Sequence, residues 1–183
     1  MSNNQIDIKL LVMDSDGVLT DGGIYISEDG IESRRFNVKD GAWIRLWQRC
    51  GLKTAIITGK KSPALKKRAD QLDIDYVYEN CHYKLETLNQ LAKDSGIAFE
   101  NMAYVGDDLI DIPALKEVGM SIAPKDAVLE VRELVDYVAQ TKGGQGVIEE
   151  VVRYTLKLMG KYETGLKKYL QRQPNETDFA TGG

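Results

Sequence analysis

The chain is poor in the residues that many catalytic and structural devices need. Two cysteines, Cys50 and Cys81, supply neither a disulfide framework nor the spacing of a thiolate metal site. A single histidine, His82, sits in Asn80-Cys81-His82-Tyr83 with no companion nucleophile signature, so it reads as a loop residue rather than the centre of a Ser-His-Asp machine. No apolar run approaches the length of a membrane span, and the N-terminus lacks the basic-then-apolar order of a signal peptide. A net charge of −4 gives no electrostatic footprint for nucleic acid. These absences predict a reduced, cytoplasmic protein with neither nucleic acid nor membrane as partner.

What the chain does have is a rhythm. Apolar runs at Leu10-Leu11-Val12-Met13, Thr54-Ala55-Ile56-Ile57, Tyr76-Val77-Tyr78, Met102-Ala103-Tyr104-Val105 and Met120-Ser121-Ile122-Ala123 read as buried strands, with an edge strand at Asp136-Tyr137-Val138. Between them, helical spacing covers residues 41–50, with Asp40 as N-cap, then 62–72, 84–96, 112–118 and 126–134, and a last helix follows over 147–159. Alternating strands and helices predict an α/β fold with a mostly parallel sheet and helices on both faces, in one domain over residues 1–170. Residues 24–38, alternating around Asp29-Gly30, predict a β-hairpin. Beyond Gly160 the pattern weakens, and residues 171–183 read as a mobile tail.

Chemistry-bearing residues recur where the strands stop. Asp14 and Asp16 follow the first run, and alternation sends them to one side with Ser15 pointing away. Thr58-Gly59-Lys60 follows the second, Lys84 the third, and Gly106-Asp107-Asp108 the fourth. Taken singly, each is ordinary turn, cap or surface chemistry. Taken together they fall at the carboxyl ends of parallel strands, where open α/β sheets bind ligands. Asp14, Asp16 and Asp107 brought together would repel, so a hard cation such as Mg²⁺ is expected among them. Asp14 could then attack phosphorus, Asp16 exchange protons with the leaving oxygen and water, and Thr58 and Lys84 hold phosphoryl charge.

The segments Asp14-Ser15-Asp16-Gly17-Val18-Leu19-Thr20-Asp21-Gly22, Ile57-Thr58-Gly59, Lys84 and Gly106-Asp107-Asp108-Leu109-Ile110-Asp111 resemble the four signature motifs of the haloacid-dehalogenase-like phosphatases. The resemblance extends over about residues 8–160, with Phe36-Asn37-Val38-Lys39-Asp40-Gly41, Arg68 and Gly143-Gly144-Gln145-Gly146, and is closest to members acting on phosphorylated ulosonates. It implies a Rossmann-like fold with a small hairpin instead of a large cap, and a homotetramer whose hairpins help close the active sites. It implies Asp14 as nucleophile, Asp16 as acid and base, and Mg²⁺ held by Asp14, the Asp16 backbone carbonyl and Asp107, with Asp108 and Asp111 supporting. Thr58, Gly59, Lys60, Arg68 and Lys84 become the expected substrate-binding set, with Lys60 and Arg68 suited to a substrate carrying both phosphate and carboxylate. The chain departs from the family pattern at Glu79-Asn80-Cys81-His82-Tyr83 and at Glu149. The expected reaction is release of phosphate from an eight-carbon 3-deoxy-ulosonate phosphate in lipopolysaccharide precursor synthesis. A nine-carbon ulosonate or other small sugar phosphate is the alternative substrate, and a non-catalytic binding or assembly subunit the alternative role.

Overall fold

The computed structural model describes residues 6–171; residues 1–5, and the expected tail from residue 172 on, lie outside the described residues. At the centre is β1 (Leu10–Met13), whose four side chains are all wholly buried. Leu11 and Met13 enter one apolar cluster and Leu10 and Val12 the other, one on each face of the sheet. That two-sided burial is why the strand reads as an unbroken apolar run. At about 1.5–3 kcal/mol for each large side chain, it anchors the strand against the repulsion of the acids that follow it.

Six parallel strands are ordered β5 (Tyr76–Tyr78), β4 (Lys53–Ile57), β1, β6 (Met102–Val105), β7 (Met120–Ala123), β8 (Tyr137–Val138). Met13 stands opposite Ile56 of β4 and Val105 of β6, so these three strands end level with one another. From β1 the chain moves outward through β4 to β5, then returns to the other side of β1 and moves outward through β6, β7 and β8. Right-handed crossovers put the connecting helices of the two halves on opposite faces. Accordingly α1 (Val38–Arg49) and α2 (Pro63–Gln71) pack on one face, and α3 (Lys84–Ser95), α4 (Ile112–Leu115) and α5 (Leu129–Arg132) on the other. The reversal of strand order beside β1 opens the crevice where such sheets bind ligands.

Helix α6 (Val147–Leu158) returns to the α1 face. The Gly143-Gly144 turn before it lies directly on the segment after β1. A Cβ at Gly143 would stand 1.8 Å from the Gly17 carbonyl oxygen, and one at Gly144 2.3 Å from the Asp21 nitrogen. The glycines thus let one backbone brace the other.

Several boundaries differ from expectation for local reasons. The hairpin forms, but β2 (Tyr25–Ile26) and β3 (Glu32–Ser33) pair only two residues each. Asp40 does not cap α1. Asn37 does, accepting from Lys39 N, while Asp40 Oδ1 accepts from Ile148 N at 2.9 Å and Glu149 N at 3.2 Å. Helix α6 has Gly146 as its N-cap, with no side chain to accept, so a neighbouring helix supplies the acceptor. The helices expected over 112–118 and 126–134 are shorter, because their ends tighten into i to i+3 bonds such as Glu117 N to Ala114 O and Leu134 N to Val131 O. A further helix, α7 (Tyr162–Leu170), continues beyond Gly160, with Tyr162, Leu166 and Tyr169 packed against the α1-side cluster.

Candidate active site

At the end of β1 the backbone leaves the sheet at Asp14 and turns at Gly17, where φ is +96°. Asp14 and Asp16 both reach a cavity of about 200 Å³ that is also lined by Thr58, Gly59, Lys60, Asp107, Asp108 and Ile110, while Ser15 is buried away from it. The same-side placement expected for the two acids therefore holds. A Cβ at Gly17 would lie 2.0 Å from Asp107 Oδ2, so only glycine lets the β6 acid approach the β1 acids this closely.

Beneath the cavity lies a buried ion network. The Lys84 side chain is fully buried, and its ammonium donates to Asp14 Oδ1 at 2.8 Å, Asp111 Oδ1 at 2.8 Å and the Ile57 carbonyl at 3.0 Å. All three donors of the ammonium are thereby used. Lys84 does not line the cavity; its charge reaches it through Asp14. Asp111 is equally committed. Its Oδ1 also accepts from the Tyr104 hydroxyl at 2.9 Å, and its Oδ2 accepts from the backbone nitrogens of Asp107 at 3.1 Å and Asp108 at 3.2 Å. Asp111 thus shapes the loop that presents Asp107. Asp108 is exposed and caps the following turn through Leu109 N.

Burial pushes the Asp14 carboxyl up to about 6, with Lys84 opposing and Asp111 adding to the rise. Burial, then the charges of Asp14 and Asp111, push Asp107 up to about 8. Asp107 Oδ1 is buried without a hydrogen-bond partner. An orphaned carboxylate oxygen is costly unless something positive meets it. Oxygens of Asp14, Asp107 and Asp111 lie within 4.8 Å of one another. With Asp111 occupied by its own donors, Asp14 and Asp107 are the two of these three acids left facing the cavity, and they fit a hard divalent cation.

Asp16 is held differently. Arg34, just after β3, donates from Nε to Oδ1 at 2.8 Å and from Nη2 to Oδ2 at 3.4 Å. Thr58 is buried at the end of β4 with its hydroxyl near the Lys60 backbone, and Lys60 pairs with Glu32 of the hairpin at 2.8 Å. Arg68 is not brought to the cavity. It stands on α2 in a separate cleft beside Asp40 and Gly41, because the face of α2 that carries it packs toward α1. His82 is exposed and takes no part in the cavity lining. No sequence signal pointed to Arg34, and Asp111, expected only as a support, holds the Asp107 loop, which its position one helical turn beyond Asp107 signals as a side chain folding back on its own loop.

A level row of strand ends at a switch point, carrying two acids after β1, a threonine after β4 and an acid after β6, defines the class of haloacid dehalogenase-like hydrolases, and that family matches residues 74–151. The relation is closer still to individual enzymes. The 3-deoxy-D-manno-octulosonate 8-phosphate phosphatase KdsC of Escherichia coli K12 is 41% identical over 157 residues, covering 86% of this chain and 84% of that protein. The crystal structure of 3-deoxy-D-manno-octulosonate 8-phosphate phosphatase from Yersinia pestis superimposes with a TM-score of 0.84 at 38% identity, over 87% of this chain and 86% of that one. The enzyme of that name from Moraxella catarrhalis, solved with magnesium ion, phosphate ion and KDO, gives 0.85 at 34% identity, over 88% and 93%. The chain belongs to the 3-deoxy-D-manno-octulosonate 8-phosphate phosphatase family.

Proposed function

We propose that this protein is a Mg²⁺-dependent phosphatase that hydrolyses 3-deoxy-D-manno-octulosonate 8-phosphate to the free sugar acid and inorganic phosphate, a step in lipopolysaccharide precursor synthesis. The observation that carries this is a buried Asp14 fixed by Lys84 beside the orphaned Asp107 oxygen, in a chain 41% identical to an enzyme of that name. One Asp14 oxygen is occupied by Lys84, which leaves the other to attack phosphorus. As the aspartyl-phosphate bond forms and the sugar–oxygen bond to phosphorus breaks, Asp16 gives the leaving oxygen its proton. Asp16 then takes a proton from the water that attacks phosphorus and frees Asp14. Thr58 and Gly59 hold phosphoryl oxygens where charge grows, and Lys84 keeps the nucleophile aligned and charge-balanced. Asp14, Asp107 and the Asp16 carbonyl would hold Mg²⁺, which when bound would supply charge neutralisation for the phosphoryl group.

Lys60 at the rim is suited to the substrate carboxylate; Arg68 lies outside the cavity and is not included. The catalytic unit spans residues 1–170. A homotetramer is supported by the outward Tyr25, Ile26 and Ile31 of the hairpin, an apolar surface that favours burial by a second copy. A cytoplasmic location is supported by two cysteines left as free thiols. No helix among the described residues is long and apolar enough to cross a membrane. The test is phosphate release from octulosonate 8-phosphate, nonulosonate 9-phosphate and simple hexose phosphates, with and without Mg²⁺. Preference for the octulosonate supports the assignment; preference for another substrate reassigns it, and binding without turnover on any would leave a binding subunit.

A further inference from the structure

Unlike Asp14, the proposed acid and base is not held by the sheet. Asp16 lies beyond β1 where the chain turns at Gly17, and the hydrogen bonds to its carboxylate come from Arg34 on the hairpin. The two bonds engage both carboxylate oxygens, tightly at Oδ1 and loosely at Oδ2. Such a fork fixes the plane of a carboxylate as well as its position. Arg34 is itself braced. Its Nη1 meets Glu32 Oε2 at 3.3 Å, and Glu32 Oε1 meets Lys60 Nζ at 2.8 Å. Only 1% of the Arg34 side chain is exposed. A hairpin that pairs two residues per strand cannot hold its own pose in water. Its position over the cavity therefore rests chiefly on the buried Arg34 with Asp16, the exposed pair of Glu32 with Lys60 adding little.

We infer that Arg34 is a positioning residue for catalysis: it fixes the plane of the Asp16 carboxylate at the cavity, leaving the loosely held Oδ2 to meet the leaving oxygen. The inference rests on the phosphatase reading above. In the first half-reaction the Asp14–phosphorus bond forms, the bond from phosphorus to the sugar oxygen breaks, and the proton passes from Asp16 to that oxygen. In the second, water gives its proton to Asp16 and its oxygen to phosphorus, and Asp14 leaves. Both transfers need one carboxylate aimed at the same point, which an unbraced side chain on a turn meets only part of the time.

A double-mutant cycle separates this role from a contact with substrate. Phosphate release from octulosonate 8-phosphate is measured for the wild type, Arg34→Gln, Asp16→Asn and the pair, with Arg34→Lys as the conservative variant and urea unfolding of each as the check on folding. Arg34→Gln should lower kcat by about 10–100-fold with KM within about threefold, since a positioned acid or base contributes on the order of 10²–10⁴. In the Asp16→Asn background the same change should have almost no further effect. Arg34→Lys, which keeps the charge but not the two-bond fork, should recover only a minor part of the loss, full recovery overturning a role in fixing the carboxylate plane. Equal losses in both backgrounds, a large rise in KM, or wild-type activity in Arg34→Gln would each overturn the assignment while the phosphatase reading stands. A wild-type enzyme that releases no phosphate overturns both.

Discussion

Two regions direct charge at one cavity, and they are built on opposite terms. At the ends of β1, β4 and β6, Asp14, Lys84 and Asp111 are buried, share short contacts and have a network of donors matched to acceptors. The hairpin carries its charges on two-residue strands, shows Tyr25, Ile26 and Ile31 to solvent, and meets the body through Arg34 with Asp16, Glu32 with Lys60 and Arg35 with Asp21. In the first region removing one partner strands the others where water cannot replace it. In the second, water and salt compete with every exposed pair. The proposed nucleophile Asp14 thus sits in the rigid region, while the proposed acid and base Asp16 is held from the adjustable one through the buried Arg34.

The sharpest way to break this contrast is Asp14→Asn. The amide is the same size and keeps one oxygen for Lys84, so the fold should survive while phosphate release falls by at least about 10³-fold, on the order of 4 kcal/mol in the barrier. Activity near wild type would remove Asp14 as nucleophile. Next comes Lys84→Met, which leaves Asp14 and Asp111 buried without their shared cation. Chemical denaturation should then show a loss of about 3–5 kcal/mol in unfolding free energy. A loss below about 1 kcal/mol would mean that the network is far better solvated than its burial implies.

The acids of the rigid region also set a pH dependence. Asp14 is raised to about 6 and Asp107 to about 8, above the value of about 4 for carboxyls in an unfolded chain. A raised folded pKa means the folded state binds these protons more tightly, so the penalty is absent below about pH 4 and complete only above the folded values. Without metal, their contribution to stability should fall as pH rises through 6 and 8. On the proposed ligand set, Mg²⁺ would meet the deprotonated forms and offset the penalty. Thermal unfolding in EDTA and in saturating MgCl₂ should show a gain of about 5–10 °C near pH 8, for about 2.7 kcal/mol of binding linkage, and a clearly smaller gain near pH 6. Equal gains at both would place the ion away from Asp14 and Asp107.

The same contrast explains what could be read in advance. Asp14, Thr58 and Asp107 were legible because each follows an apolar run buried on both faces, and strand alternation and topology carry the side chain to a known place. Lys84 was legible as a charge near a strand end but not as a buried one; its contacts with Asp14, Asp111 and the Ile57 carbonyl depend on three strands meeting. Asp40 looked like a local cap and proved to cap a helix more than a hundred residues away, which no local pattern encodes. Arg68 lies in a separate cleft rather than at the cavity for the converse reason, since a basic residue on a helix does not declare which neighbour its face will meet. Arg34 gave no signal, because a two-residue strand leaves its pose to long-range charge.

The smallest effect on stability should come from Lys60→Met, and it probes the hairpin side of the contrast against Lys84→Met. The Lys60 side chain is 49% exposed and pairs with a Glu32 that is itself partly in solvent, so its removal should leave the urea midpoint unchanged within error. If Lys60 reads the substrate carboxylate, KM for octulosonate 8-phosphate should rise about tenfold while kcat changes less than about twofold, because the lost contact is made equally in the ground and transition states. A large fall in kcat with KM unchanged would instead tie Lys60 to the chemical step. A large fall in stability would show that the hairpin is part of the cooperative fold, and the division between a rigid and an adjustable region would fail.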